Sequence, residues 1–461
     1  MKPLTFIATV LSLAFLGCAS SPEERARSAI DTPEKWTVED LDSTTTEAWL
    51  DDFNDPSLEA LVDEALANNP DLRAVAARFA QTVAEARING ADRLPSANLG
   101  LGAARQKVNT IGPQSISTTR FENYDLNLNL SWEVDLWGKL NDRNSAALAR
   151  VDASAADLRN AELSLAAQVV KGWFNYVEAE AQFQLAEDTA ESWQENLQAL
   201  ESRFSRGLSD GLDLRRIRTQ TAGAEAQVET TRRTRDATAR SLETLLGRYP
   251  SASIDRESEL PPLPAPVPVG LPADLLTRRP DLIAAERQLA ASDKELSASR
   301  KELLPSISLT ASGGTNTQEF DDILDSDFSV WTLAGNLAQP VFQGGRIRAG
   351  IDRSKALRIQ AAENYRETAL RAFREVETTL AAEVYLQIEY EKLQIAADEA
   401  VAAEELAWAR YRNGTSDFLN ALDSQRTATT ALGRLLTLRN FLLQNRVDLY
   451  LALGGPFETE S

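Results

Sequence analysis

The chain has 461 residues, 43% of them hydrophobic, with a formal net charge of -21 and no histidine. That length and apolar content sustain one large domain or two medium ones and speak against wholesale disorder. The acidic balance, with no Lys/Arg run to offset it, argues against a nucleic-acid surface. Without histidine there is no Ser-His-Asp or Cys-His nucleophile and no histidine-ligated metal site, and with Met1 the only methionine there is no thioether ligand set either. Only paired carboxylates remain for catalysis, and the 69 acidic residues read as solvated helix faces. No catalytic residue, metal ligand or cofactor is assigned.

At the N-terminus Lys2 precedes an apolar stretch from Leu4 to Leu16, followed by Gly17-Cys18 and the polar Ser20-Ser21-Pro22. Residues 1–17 therefore read as a secretory signal, too short to span a bilayer as a helix. The ending resembles a bacterial lipobox, with Phe15 where Leu is usual, so the sole cysteine, Cys18, is the expected lipidation site and new N-terminus. Ala19 is not the Asp of inner-membrane retention, which directs the anchor to the outer membrane. Beyond the signal no run of 18 apolar residues occurs, so any spanning structure must be built from strands. Residues 18–55 and the tail 456–461 lack a strong period and are placed in an equatorial belt around the helices.

The rest of the chain is an internal duplication. Asn69-Pro70-Asp71-Leu72 matches Arg279-Pro280-Asp281-Leu282, and Leu94-Pro95-Ser96 matches Leu304-Pro305-Ser306, both 210 residues apart. Further on, Arg203-Phe204 through Gly207 to Asp210 aligns with Arg410-Tyr411 through Gly414 to Asp417. Two repeats, 56–250 and 273–455, are joined by a Pro-rich linker, 251–272, whose Pro261 to Pro268 run reads as an extended spacer. Each repeat runs helix, strand, loop, strand, long helix, tight turn, helix. The helices are expected over 71–94, 140–205 and 213–246, then 281–304, 345–412 and 418–453, with Pro95 and Pro305 ending the first of each set.

Period-two alternation after each proline gives the strands: Ala97, Leu99, Leu101 and Ala103, then Tyr124 to Trp132, and in the second repeat Ile307, Leu309 and Ala311, then Trp331, Leu333 and Leu337. Polar loops 107–120 and 314–327 join them, on the outside of the cell. Four strands cannot close a barrel, since about eight are needed, so membrane embedding would require oligomerisation. A pair of hairpins in a soluble sheet stays open on periodicity alone; small polar residues on the other face suit a water-filled lumen. The long helices extend about 100 Å at about 1.5 Å per residue, and their narrow apolar stripes suit a wall wetted on both sides better than a thick bundle.

Trp132 to Lys139, Arg278-Arg279-Pro280-Asp281-Leu282 with Glu286, and Pro340 to Arg346 resemble the signature stretches of the TolC-like outer membrane factor family, in the lipoprotein branch that serves resistance-nodulation-division pumps. The resemblance covers essentially the whole mature chain. It implies a mixed α and β fold: a homotrimer whose twelve-strand outer membrane barrel continues into a twelve-helix periplasmic tunnel. Such a protein is a passive duct for small molecules, not an enzyme, in contact with outer membrane lipids and docked to a periplasmic adaptor and an inner-membrane pump.

Tyr411, Gly414, Leu419, Asp423, Gln425 and Arg426 fit the family's periplasmic constriction residue by residue. Leu419, Asp423 and Arg426, on one helix face, would form the gate, an apolar gasket with a charged ring. The turns at Gly207 and Gly414, with Tyr411, Asp213 and Arg216, would dock the adaptor. Arg216 occupies the position of Asp423 in the first repeat, which suggests opposite charges holding the hairpins together. Asp213 resembles a clamping carboxylate, but Ser416 stands where its basic partner is found. Two rival readings are an adaptor lipoprotein, which would carry one hairpin inside a split lipoyl domain, and a carboxylate-dependent cell-wall hydrolase, which would need a compact pocket; the sequence offers neither.

Overall fold

The computed structural model describes residues 32–33, 36–37, 49–111, 116–254, 259–263 and 272–455. Cys18 and the signal stretch, most of the belt segment, parts of the linker and the tail 456–461 lie outside the described residues. The first repeat contains α1 (Pro56–Asn68), α2 (Pro70–Ala91), β1 (Ser96–Ile111), β2 (Ile116–Val134), α3 (Lys139–Ser205) and α4 (Gly211–Leu245). The second follows in the same order with α5 (Pro272–Arg278), α6 (Pro280–Lys301), β3 (Ser306–Thr317), β4 (Ser329–Ala338), α7 (Arg346–Arg412) and α8 (Phe418–Leu453).

Periodicity did not reveal α1 and α5, although the start of α1 has a legible signal. Asp55 caps it by accepting the Ser57 N–H at 2.8 Å, and Pro56 occupies its first position. Pro70 then pushes Asn69 out of the helical region, and the Asn69 side chain opens α2 by accepting from the N–H groups of Asp71 and Leu72 at 2.9 and 3.0 Å. At their other ends α2 and α6 stop three residues before the expected Leu94 and Leu304. Those residues close tighter turns instead, Leu94 donating to Ala91 O at 2.9 Å and Leu304 to Lys301 O at 3.0 Å.

One compact unit, drawn from residues 78–155 and 284–366, holds the sheet. It is an antiparallel meander in the order β1-β2-β3-β4. The register pairs Leu99 with Leu128, Leu101 with Leu126, Leu130 with Ala311 and Ala311 with Leu333, so one face is continuously apolar. Asn98, Asn129, Ser312 and Thr332 line the other face. Leu99 and Leu101 remain 73% and 67% exposed, so nothing among the described residues covers the apolar face there.

The expected loop 107–120 is a correction: both strands run through it, with Lys107 paired to Arg120 and Ile111 to Ile116. Alternation marks only the part of a strand whose two faces meet different surroundings. Here backbone pairing continues without alternation, Lys107 and Arg120 on one face and Gln106 and Thr119 beside Val108 and Phe121 on the other. The β1–β2 ribbon therefore overshoots β3, whose pairing with β2 stops at Tyr124 and Thr317. The second loop is shorter than expected, 318–328, and contains the turns Phe320–Asp322 and Ser326–Phe328. Helix segments in this unit meet through a small cluster of Leu296, Ile347 and Ile351. Ion pairs supplement it: Lys301–Asp142 at 2.5 Å, Arg143–Glu302 at 2.7 Å and Arg358–Asp293 at 2.5 Å.

The other unit comprises residues 31–77, 156–283 and 367–461. Its core is thicker than narrow stripes suggested, with Phe53, Leu58, Trp173, Phe174, Leu442 and Val447 almost fully buried. Described parts of the belt segment are anchored here. Trp36 packs edge-on against Phe373 at 6.3 Å, Thr37 N–H donates to Glu377 at 3.0 Å, and Trp173 Nε1 donates to Asp55 at 2.7 Å. Tyr450 donates to Asp52, and burial together with that carboxylate pushes its phenol well up. The repeats also close alike: Asn69 Nδ2 donates to Leu245 O at 2.9 Å, and Arg279 Nη1 donates to Ala452 O at 3.0 Å. Each ties the start of its repeat to that repeat's last helix. Arg279 is nearly buried and is neutralised by Asp281 at 2.7 Å and Glu375 at 2.8 Å.

Candidate gate and docking tip

Both hairpin turns are built identically. Gly207 N–H donates to Phe204 O at 2.9 Å and Leu208 N–H to Arg203 O at 3.0 Å; Gly414 N–H donates to Tyr411 O at 3.0 Å and Thr415 N–H to Arg410 O at 2.9 Å. This closure requires a left-handed residue, and the glycines adopt φ of 72° and 73°. A Cβ at either would meet nothing within 4 Å. Three residues after each glycine an aspartate starts the returning helix, Asp210 accepting from Leu212 N–H at 3.3 Å and Asp417 from Asn420 N–H at 3.0 Å.

Beside the turns lies a cluster of Trp193, Leu200, Leu214 and Ile217 from the first hairpin with Trp408, Phe418, Ala421 and Leu422 from the second. The rings meet edge to face, Trp193 to Trp408 at 6.4 Å and Trp408 to Phe418 at 6.2 Å, while Tyr411 packs on Phe418 at 5.5 Å beneath the Arg203 guanidinium at 5.2 Å. Gln425 lies inside this cluster, 2% exposed. It accepts from Trp408 Nε1 at 3.1 Å and donates to Ser192 Oγ at 2.9 Å, joining α7, α8 and α3. Sequence reasoning missed the two tryptophans. Neither stood out in the sequence, because each long helix carries other aromatics, Trp173 and Phe183 on α3 and Phe373 and Tyr385 on α7.

The structure brings the sequence-predicted gate residues to one face of α8. Phe418, Ala421, Leu422, Gln425 and Ala428 are buried, so Leu419, Asp423 and Arg426 point away from the protein. Leu419 is 49% exposed, and Arg426 pairs with Asp423 at 2.8 Å. Arg216 pairs with Asp213 at 3.8 Å in its own helix. Within the chain each of these charges is answered three residues away in its own helix, and apolar rings join the two hairpins. Ser416 accepts from Asn420 Nδ2 at 3.2 Å, and Asp213 has no clamp there among the described residues. Partial burial raises the Asp213 pKa; Arg216 opposes this, while Asp210 and Asp417 add to it.

A family model described as outer membrane efflux protein matches residues 61–248 and 271–455. The chain belongs to the outer membrane efflux protein family. Relatives of this efflux protein include the toluene efflux pump outer membrane protein TtgF of Pseudomonas putida, 31% identical over 99% of the chain and 98% of the relative. The pyoverdine export outer membrane protein OpmQ of Pseudomonas putida is 32% identical over 98% of the chain and 97% of the relative. The solved outer-membrane channel OprN superposes with a TM-score of 0.85 at 28% identity, covering 92% of the chain and 97% of that structure. The efflux protein is an outer membrane channel, and the adaptor alternative falls. No described helix is long and apolar enough to cross a membrane; the sheet, with one apolar and one polar face, has the character of a channel wall.

Proposed function

We propose that the protein acts as a homotrimeric passive duct, three four-strand sheets closing a twelve-strand barrel and three pairs of hairpins forming a periplasmic tunnel. The observation that carries this is the sheet itself, apolar on one face, polar on the other and, among the described residues, open at both edges, β1 and β4. Four strands cannot close, and unpaired edges in lipid are prohibitively costly, so copies must complete each other. The duct serves a tripartite system with a periplasmic adaptor and an inner-membrane pump. Its outer membrane location is reinforced by lipid at Cys18.

The gate is the exposed face of α8, three copies each of Leu419, Asp423 and Arg426 converging on the axis. The docking surface is the pair of glycine turns at Gly207 and Gly414 with Tyr411, Asp213 and Arg216 beside them. The TtgF and OpmQ relatives carry names for toluene efflux and pyoverdine export at nearly the same identity. That spread fits a duct that follows its pump and does not choose cargo. Purified protein in planar bilayers tests the proposal: crosslinked trimers with discrete conductance steps are expected, whereas a monomer that leaves the bilayer silent would sink it.

A further inference from the structure

The apolar face of the sheet ends abruptly. On β1 it runs through Ala97, Leu99, Leu101 and Ala103, about 20 Å at about 3.4 Å per residue, near the roughly 25 Å apolar band of outer membrane barrels. The next side chains on the same face are Arg105 and Lys107, and the register sets Glu122 and Arg120 of β2 opposite them. Arg105 pairs with Glu122 at 3.1 Å. Lys107 and Arg120 sit directly across from one another, both exposed, and neither has an ion-pair partner among the described residues. Like charges facing across a ribbon repel unless an anion lies between them. At the same end of the sheet the 318–328 loop carries Glu319, Asp321, Asp322, Asp325 and Asp327 with no basic residue, which confines any anion to the β1–β2 side.

We infer that Arg105, Lys107 and Arg120 form a docking surface for the phosphate groups of an outer-leaflet phosphorylated glycolipid. The inference rests on the sheet being the channel's membrane wall, with its helix-free end outward. The surface is continuous with the lipid-facing apolar band, so acyl chains lying on Leu99 and Leu101 place their headgroup at the level of Arg105 and Lys107. A phosphate there meets a planar guanidinium from Arg120 and an ammonium from Lys107, the two cations suited to it. Glu122 neutralises Arg105 only in part, leaving the patch with net positive charge.

The test uses the full-length protein in phosphatidylcholine nanodiscs, with either bis-phosphorylated lipid A or phosphatidylglycerol as a minor component, and native mass spectrometry to count retained lipid. Wild type should retain lipid A in preference to phosphatidylglycerol. Lys107→Gln/Arg120→Gln should retain roughly thirtyfold less, since each of the two cations near an anionic surface contributes about 1 kcal/mol and about 1.4 kcal/mol is tenfold. Insertion, read by protease protection, should be unchanged. Equal lipid A retention by an inserted variant overturns the inference, as does equal retention of phosphatidylglycerol by wild type. A variant that instead loses its trimer shows that the cations serve a neighbouring copy, and the inference fails. Should even wild type not enter the disc, the membrane-wall reading falls and the inference with it.

Discussion

The indole N–H of Trp408 on α7 donates to the Gln425 side chain of α8 at 3.1 Å, and the same amide donates to Ser192 of α3 at 2.9 Å. A buried amide that joins two hairpins is costly to lose, because its partners stay buried and unpaired. Gln425→Leu should destabilise the protein by about 1–3 kcal/mol, and Ser192→Ala in the same background should cost less than it does alone. A double-mutant cycle by denaturant unfolding checks this; strictly additive losses would mean the amide does not bridge the hairpins.

Leu419 and Asp423 are exposed in the protein and contribute little to its own stability. Replacing them with Ala and Ser should leave folding intact, raise single-channel conductance and weaken block by divalent cations. Unchanged conductance would place the constriction elsewhere and reduce Asp423 and Arg426 to a solvated pair.

Because the space beside Gly207 and Gly414 is open, substitution there incurs backbone strain without a clash. Gly207→Ala and Gly414→Ala should each cost about 1–2 kcal/mol, as a left-handed alanine does. The corresponding tryptophans should assemble normally but fail in cellular efflux, since only an incoming partner would meet the new side chain. Normal efflux by both would rule the turns out as the docking surface.

Glu243 on α4 provides a pH signature. Burial pushes its carboxyl up, but the N–H groups of Ala252 at 2.7 Å and Ser253 at 2.9 Å and the Ser251 hydroxyl at 3.1 Å outweigh that and hold it below the usual value. A native pKa below the unfolded one stabilises the fold above the ordinary carboxylate range, and the contribution is lost as pH falls through the native value. Glu243→Gln should therefore lower the melting temperature at pH 7, with the deficit narrowing below about pH 4. A deficit constant down to pH 3 would mean the ionised form has no special role.

Much of this architecture was legible because its signals are local. Pro95 and Pro305 bar the chain from continuing as helix, so each helix had to stop within a turn of them, and Gly207 and Gly414 mark turns that only glycine tolerates well. The extension of β1 and β2 through 107–120 was not legible, since a ladder of backbone hydrogen bonds needs no side-chain pattern. Leu419, Asp423 and Arg426 could be placed on one face by counting, whereas Trp193 meets Trp408 only after two hairpins separated by some two hundred residues have folded together. Counting equivalent positions set Asp423 against Arg216 but did not show that, within the chain, each has a nearer partner on its own helix, Arg426 and Asp213.

The two long helices, α3 and α7, each contain 67 residues, although their sequences share little beyond the ends. Deleting one residue would turn every later side chain by about 100° and draw the tip in by about 1.5 Å. The buried face of that hairpin would then meet its neighbour with the wrong side chains. Length is thus the property on which the two halves of the gene must agree. Changes that survive should come as whole turns near seven residues and in both repeats at once, so related proteins with tunnels of other heights should differ by matched pairs of insertions.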